Sequence, residues 1–329
     1  MQKCLLVSCL FMFCGVGASE KLALDVVSYD FLVQGDLDTI NCVRKALYEK
    51  GIVGVEGIPE YQEKLANYIC AAREFAAMDE ECKVMCAPNR EAGDTFLGYE
   101  RGMEKFQRPD GRWVVDDRKS SYYAFVPDHE RNKWPVNMDL KTPFEELGAI
   151  MSAAGQKVME QIELTGDKTG IHLEDACHVT RMLHYQKTFD SSPDNPYWCG
   201  AHFDHGLFTA LTPSFYFVDG EGINEPEEAG LFVRVKDAFL KVPANPNILM
   251  FQVGEFGQLV TDDGIRATEH RVHKADGSIE RYAMALFFIP DLDTTIHSVS
   301  KLTQDARYGE NPCSYRNWER KTFERFTVK

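Results

Sequence analysis

Three residues in the second half of the chain have the types and spacing of a metal site. His202 and Asp204 are separated by one residue, and a second histidine, His270, lies far downstream. In a β-strand, residues i and i+2 point to the same face, so this imidazole and this carboxylate would be directed at one point. A distant histidine would complete a set of two nitrogens and one oxygen, which leaves three adjacent positions of an octahedral metal ion open. The sequence therefore predicts a metal centre formed by these three side chains.

Three other histidines lie near these residues but are predicted not to be ligands. His205 directly follows the aspartate, and His273 is three residues past the distal histidine, so strand alternation directs both to the opposite face. We expect His273 to lie on the surface or behind the ligands. His184 could face either a substrate or solvent, and we favour solvent.

A basic residue begins an apolar segment near the end of this region. Arg281 precedes the segment 282–289, which is apolar and has the length of a strand. Charged side chains are rarely placed in such segments unless they are paired. We therefore expect Arg281 to be a buried charge with a partner.

The longer motifs around these residues resemble those of the isopenicillin N synthase-like family of Fe(II)- and 2-oxoglutarate-dependent oxygenases. Residues 202–211 match the family's H-x-D-x-G-x-L-T-x-L, except that Phe208 replaces a leucine, and residues 270–272 match its H-R-V. The family's R-x-S is matched only at Arg281, because Ala283 stands in the place of serine. Further ordered matches lie at 51–59, at 132–135 (N-x-W-P) and at 181–185 (R-x-x-x-Y), so the resemblance covers about residues 25 to 290.

The resemblance implies a reaction and its cofactors. Fe(II) would be held by His202, Asp204 and His270, with O2 as the oxidant and 2-oxoglutarate as the cosubstrate. Arg281 would pair with the far carboxylate of 2-oxoglutarate, since a guanidinium fork suits a carboxylate, and Tyr185 would place its hydroxyl near the cosubstrate. The expected reaction is the hydroxylation or desaturation of a small organic molecule.

Two departures from the family pattern leave alternatives open. Ala283 has no hydroxyl for the cosubstrate, and Leu183 stands where the family often has asparagine. The second hypothesis is therefore an oxidase of the isopenicillin N synthase type, which uses O2 without 2-oxoglutarate. The third is a non-catalytic metal-binding jelly-roll protein.

The order of elements predicts an α+β fold with a mainly β core. Apolar residues at helical spacing predict helices over 36–50, from Pro59 and from Thr142, where T-P-F-E has the form of a capping box. From about residue 177, short apolar segments divided by turns predict eight strands: 178–186, 200–203, 207–212, 231–235, 247–252, 257–261, 269–274 and 281–289. Eight short strands indicate a double-stranded β-helix, or jelly roll, with N-terminal and supporting helices.

These features divide the chain into five segments. We expect a signal peptide at 1–18, an N-terminal oxygenase region at 25–137, a supporting helix at 138–176, the jelly-roll dioxygenase domain at 177–291 and a C-terminal tail at 292–329 that packs back as a helix. The apolar stretch 4–17 follows Lys3, ends in small residues and is too short for a confident membrane span. Cleavage at Ala18 would make the protein exported or secreted, and without cleavage it would be cytoplasmic.

Composition narrows the range of partners. The formal net charge is −15, and no sustained basic stripe is present, which argues against nucleic acids and against stable membrane association apart from the N-terminal segment. The predicted partner is a small-molecule substrate, and the sequence does not indicate an oligomeric state. The seven cysteines after residue 18 are scattered and odd in number, so they predict no disulfide framework.

Overall fold

The computed structural model describes residues 20–90, 97–107, 111–115, 118–173, 176–187, 196–275 and 277–326. The predicted signal peptide at 1–18 lies outside these ranges. Within them, no helix combines the length and the apolar character needed to cross a membrane. The seven cysteines found in these ranges are all free thiols.

Short strands and a few longer helices make up the described chain. In chain order they are β1 (Val26–Ser28), α1 (Tyr29–Gln34), α2 (Leu37–Glu49), β2 (Ile52–Glu56), α3 (Tyr61–Ala77), α4 (Glu80–Val84), β3 (Gly98–Arg101), β4 (Lys105–Gln107), β5 (Trp113–Val115), β6 (Lys119–Val126), α5 (Lys141–Gln161), β7 (His178–Tyr185), β8 (Tyr197–His202), β9 (Phe208–Leu211), β10 (Phe215–Val218), β11 (Glu221–Ile223), β12 (Gly230–Val235), β13 (Ala238–Lys241), β14 (Ile248–Val253), α6 (Glu255–Val260), β15 (His270–His273), β16 (Ile279–Phe288), β17 (Thr295–Ile296), β18 (Cys313–Ser314) and α7 (Tyr315–Phe326).

Two sheets form the β core. The larger has the order β1-β2-β14-β9-β16-β7-β6-β3, with the β10–β11 hairpin attached to β16. The smaller has the order β13-β12-β15-β8. From β7 onward the chain crosses repeatedly between the two sheets, with β7, β9, β14 and β16 in the larger one and β8, β12 and β15 in the smaller one, as in a jelly roll. The predicted α+β fold with a jelly-roll core is confirmed.

Alternation along β16 separates two apolar layers. Ala283 and Ala285 belong to the cluster that lies between the sheets, together with Trp198 of the smaller sheet. Met284 and Leu286 belong to the layer covered by the helices. Because side chains of a strand alternate between faces, every second residue from Arg281 onward faces the interior between the two sheets.

The helices are placed by their apolar stripes and their caps. Asp36 accepts the N–H of Thr39 at 2.9 Å and caps α2, so the predicted helix over 36–50 is confirmed. The capping box predicted at Thr142 is not formed, because α5 already begins at Lys141 with Leu140 at its N-cap. The N–H of Thr142 donates to Asp139 Oδ1 at 3.0 Å.

The predicted strand at 257–261 is also wrong, because this segment belongs to α6. Phe256 and Leu259, three residues apart, are both fully buried, which is helical spacing. The N–H of Glu255 donates to the carbonyl oxygen of Asp204 at 2.8 Å, which anchors the start of the helix to the predicted metal loop. Strands β10 and β13 were not predicted.

The C-terminal tail packs back on the body as expected, and a buried ion pair holds it there. Arg307 donates two hydrogen bonds of 2.7 Å to the carboxylate of Glu255, and both side chains are 7% exposed. The guanidinium lies over the ring of Trp318. Trp318 Nε1 in turn donates to the carbonyl oxygen of His205 at 3.0 Å. The tail therefore contacts α6 at Glu255 and the metal loop at His205.

We predict that Arg307→Met lowers the free energy of unfolding by about 3–5 kcal/mol, because it leaves the Glu255 carboxylate buried without its partner. Urea unfolding of the purified protein measures the change. The matched control is Arg316→Met, which removes an exposed pair with Asp293 and should cost less than about 1 kcal/mol. Equal effects of the two substitutions would contradict a structural role for the buried pair.

Candidate metal centre

Pairing of the small sheet brings the two predicted histidine ligands together. His270, the first residue of β15, is opposite His202, the last residue of β8. Asp204 follows β8 by two residues and turns back toward both. Ligand atoms of the three side chains all lie within 4.8 Å of one another. The structure thus brings together the three residues that the sequence singled out.

The arrangement of these atoms fits a metal ion. Asp204 Oδ1 is 4.0 Å from Nε2 of each histidine, which is too long for a hydrogen bond. Nδ1 of His202 lies 2.9 Å from the Gly200 carbonyl oxygen, and Nδ1 of His270 lies 3.0 Å from that of Thr268. A carbonyl only accepts, so each Nδ1 carries the proton and each Nε2 keeps its lone pair for a metal.

The charge states also suit a divalent ion. Burial, reinforced by the neighbouring His202, lowers the pKa of His270 to about 4, so its imidazole is neutral at pH 7. Burial acts to raise the pKa of Asp204, but the adjacent histidines and hydrogen bonds outweigh it and hold that pKa below its ordinary value. A carboxylate with a lowered pKa is ionised at neutral pH, so Asp204 would bring a single negative charge to the ion.

Two polar side chains of the large sheet orient the carboxylate. Thr209 Oγ1 donates to Asp204 Oδ2 at 2.7 Å, and Gln252 Nε2 donates to the same oxygen at 3.0 Å. The two residues are register partners on β9 and β14. They occupy Oδ2 and leave Oδ1 for the metal.

Neither orienting residue was given a role from the sequence, although one had a usable signal. Gln252 is the polar residue of the otherwise apolar β14 and is only 2% exposed. A buried side-chain amide is expected to have hydrogen-bond partners. Its Oε1 has no hydrogen-bond partner. Thr209 lies inside the matched motif, where nothing in the pattern indicates its contact with Asp204.

Arg281 is a buried cation with an unused donor. Its side chain is 1% exposed and faces the interior between the sheets. Nε donates to Ser214 Oγ at 2.8 Å, and the guanidinium lies 4.6 Å from the ring centre of Tyr185. Nη1 is sealed from solvent and has no hydrogen-bond partner. No carboxylate of the described residues pairs with it, so the site is suited to a ligand that brings its own negative charge.

The two departures from the family pattern lie side by side. Ala283 of β16 is the register partner of Leu183 of β7, and both are apolar and buried. The hydroxyl that contacts Arg281 comes instead from Ser214, in the link between β9 and β10. No sequence signal indicated this serine, because its contact depends on how the link is folded. Tyr185, the predicted cosubstrate contact, is buried beneath the guanidinium.

His184 is buried, so the preference for a solvent-facing side chain was wrong. It is 6% exposed and points away from the interior that Tyr185 faces. Its ring stacks on Tyr282, with Ser120 Oγ at 3.3 Å and Glu280 Oε1 at 3.1 Å. These partners satisfy both nitrogens, and a histidine with satisfied nitrogens can be buried.

The other two histidines near the centre are absent from its ligand set. His205 stacks against Tyr315 of the C-terminal helix, and His273 stacks against Phe232 of the neighbouring strand. Strand alternation accounts for the position of His273 on β15. The same alternation, continued into the loop after β8, accounts for the position of His205.

Comparisons with known proteins agree with this geometry. The model of the 2OG-Fe(II) oxygenase superfamily matches residues 176–290, which contain the three candidate ligands and Arg281. The segment 176–290 is therefore similar to this superfamily's domain. Members of the superfamily use Fe(II) and 2-oxoglutarate, and a related solved structure holds both.

Individual relatives are distant but similar over most of their length. A homoarginine-6-hydroxylase of Glycine max is 23% identical, over 84% of this chain and 88% of the relative. Jasmonate-induced oxygenase 4 of Arabidopsis thaliana is 24% identical, over 84% of this chain and 75% of the relative. Among solved structures, a full-length Neurospora crassa protein in complex with alpha-KG shares the fold with a TM-score of 0.71 at 20% identity, covering 92% of this chain and 96% of that one.

We predict that Asp204→Ala abolishes tight Mn(II) binding. The substitution removes the charged ligand, and the loss should exceed the roughly 10- to 100-fold effect typical of residues that only orient a ligand. Isothermal titration with Mn(II) measures it, with the exposed Asp237→Ala as control. Wild-type affinity in the Asp204 variant would refute the metal assignment.

Gln252→Leu should weaken Mn(II) binding by about 10- to 100-fold, because it removes a hydrogen bond that orients Asp204 while keeping a side chain of similar size. The same titration measures the change, and Gln62→Leu on the surface of α3 is the control. An unchanged affinity would mean that Thr209 alone suffices to orient the carboxylate.

Proposed function

We propose that this protein is a non-haem Fe(II)- and 2-oxoglutarate-dependent oxygenase that hydroxylates or desaturates a small organic molecule. The match of residues 176–290 to the superfamily model and the cluster of His202, Asp204 and His270 support this reaction class. One relative is named a homoarginine-6-hydroxylase, and a solved structure of the same fold holds JA beside 2OG and Fe. These ligands support a small-molecule substrate of some kind and do not identify it.

The observation that carries the proposal is the unpaired donor of Arg281. A guanidinium that is 1% exposed and lacks a carboxylate partner among the described residues is costly unless a ligand completes it. The far carboxylate of a dicarboxylic keto acid would do so, because its other end carries the keto acid that a metal centre chelates. An oxidase that uses O2 alone would leave this buried charge to an anionic group of its substrate, whereas 2-oxoglutarate itself supplies the partner. The match to the 2OG-Fe(II) oxygenase model favours the 2-oxoglutarate-dependent reaction.

Each residue of the site has a separate task. The three ligands would hold Fe(II), which when bound supplies O2 activation coupled to oxidative decarboxylation of the keto acid. Thr209 and Gln252 fix the orientation of the Asp204 carboxylate. Arg281 would bind the cosubstrate carboxylate, with Ser214 and the Tyr185 ring holding the guanidinium in place.

The walls of the interior keep water away from this chemistry. The space between the sheets is lined by an apolar cluster that includes Leu211, Ala285 and Val272. Apolar walls lower the local dielectric and so strengthen the attraction between Arg281 and a bound carboxylate.

We predict that Arg281→Ala raises the 2-oxoglutarate concentration required for half-maximal succinate formation by roughly thirtyfold or more. Truncating one partner of a buried charged pair costs about 2–5 kcal/mol, and about 1.4 kcal/mol is a factor of ten. Mn(II) affinity should stay within about threefold, because Arg281 is not a ligand.

Ser214→Ala provides a graded comparison for the same assay. It removes one neutral contact to the guanidinium, so its effect should be a few-fold, consistent with about 0.5–1.5 kcal/mol. If the wild-type protein consumes O2 with a substrate but forms no succinate and does not depend on 2-oxoglutarate, the proposed reaction is wrong and the oxidase hypothesis replaces it.

A further inference from the structure

Arg181 belongs to a motif that the sequence analysis matched but to which the reaction gives no task. It lies on β7 and shares the strand face of Leu183 and Tyr185, both members of the interior cluster. Strand alternation therefore directs its side chain into the space between the sheets. Its side chain is 13% exposed.

Sheet register places Arg181 at the level of the metal centre. It is opposite Ala285, which is opposite Leu211 on β9. The neighbouring interior position on β9 is Thr209, which holds Asp204. Arg281 lies four residues away from Ala285 along β16. The Arg181 guanidinium lies over the ring of Tyr123 on β6, the neighbouring strand on the side away from β9.

A network fixes two of the three guanidinium nitrogens. Nε and Nη2 lie 2.9 and 2.8 Å from Ser121 Oγ, and Nη2 is 2.9 Å from Glu104 Oε1. Lys119 Nζ donates to Glu104 Oε2 at 2.6 Å, and Tyr123 donates to Oε1 at 3.1 Å. Glu104 is thus shared between two cations and has no oxygen left over for a ligand.

The third nitrogen of Arg181 remains available. Nη1 makes no hydrogen bond to any described residue and, unlike Nη1 of Arg281, it is not sealed from solvent. A guanidinium held at two nitrogens and open at the third presents a fixed N–H donor of positive charge. Such a donor selects an anionic group.

The network also adjoins a metal ligand. Lys119 Nζ lies 3.8 Å from Cys199 Sγ, and that sulfur lies 3.8 Å from Nδ1 of His202. The network that holds Arg181 is therefore joined through Cys199 to a ligand of the metal centre.

We propose that Arg181 binds a carboxylate of the substrate, so that the substrate class is a small carboxylic acid. This inference rests on the proposed function. Two arginines then divide the anions of the site: Arg281 takes the cosubstrate carboxylate and Arg181 takes that of the substrate. Ser121 and Glu104 position the Arg181 guanidinium.

Matched pairs of ligands test the inference. The probes are small monocarboxylic acids (straight-chain, aromatic and amino-acid), each beside its primary amide. Binding is measured by titration into the full-length protein loaded with Mn(II) and 2-oxoglutarate, and stimulation of succinate formation is measured with Fe(II). We expect wild type to bind the preferred acid at least tenfold more tightly than its amide.

Arg181→Met should reduce this acid-to-amide ratio to near one while 2-oxoglutarate affinity stays unchanged, and Arg181→Lys should keep part of it. If the Met variant folds poorly, Arg181→Gln replaces it, because a neutral amide can still donate to Ser121 while Glu104 stays paired with Lys119. Arg44→Met, on the surface, is the control. A role of Arg181 in folding alone would weaken acid and amide equally, which overturns the inference.

The outcomes separate this inference from the proposed function. If wild type neither binds 2-oxoglutarate nor forms succinate, the proposed function fails and the inference fails with it. If 2-oxoglutarate turnover is intact but no probe shows an acid-to-amide difference, including the case in which none binds, only the carboxylate inference is overturned.

Discussion

The convergence of three acceptor atoms on one point is the constraint on which the rest of the site depends. Nε2 of His202, Nε2 of His270 and Oδ1 of Asp204 approach one another, yet none of them can donate a hydrogen bond to the others. A divalent cation satisfies such a set of two nitrogens and one carboxylate oxygen. The β8–β15 pairing that creates it joins residues far apart in sequence, so the site exists only when the jelly roll is complete.

The loop that carries Asp204 is held by backbone contacts from α6 and by the C-terminal tail. The N–H groups of Glu255 and Phe256 donate to the carbonyl oxygens of Asp204 and Gly206. This close approach needs glycine at position 254, because a Cβ there would lie 2.2 Å from Gly206 O. The buried pair of Arg307 with Glu255 extends this support, so residues distant from the metal help to fix the position of its carboxylate ligand.

The sequence alone predicted those features that depend on the spacing of nearby residues or on a periodic pattern. It did not predict contacts that depend on how distant segments are brought together. The spacing of His202 and Asp204 indicated two of the ligands, and the apolar segment after Arg281 indicated that this residue is buried. The segment 257–261 forms a helix where its sequence predicts a strand, because a short apolar run fits a buried helix turn equally well. Ser214 could not be found, since its contact is created by the path of the β9–β10 link rather than by any motif.

The central claim is that buried positive charge at Arg281, close to a facial metal site, commits this fold to a keto-acid cosubstrate. Isotope incorporation tests this claim most directly. Oxidative decarboxylation of 2-oxoglutarate by O2 transfers one oxygen atom to succinate, so turnover under ¹⁸O2 should give succinate with a single ¹⁸O atom by mass spectrometry. Substrate oxidation that proceeds with unlabelled succinate, or with no succinate, would contradict the account.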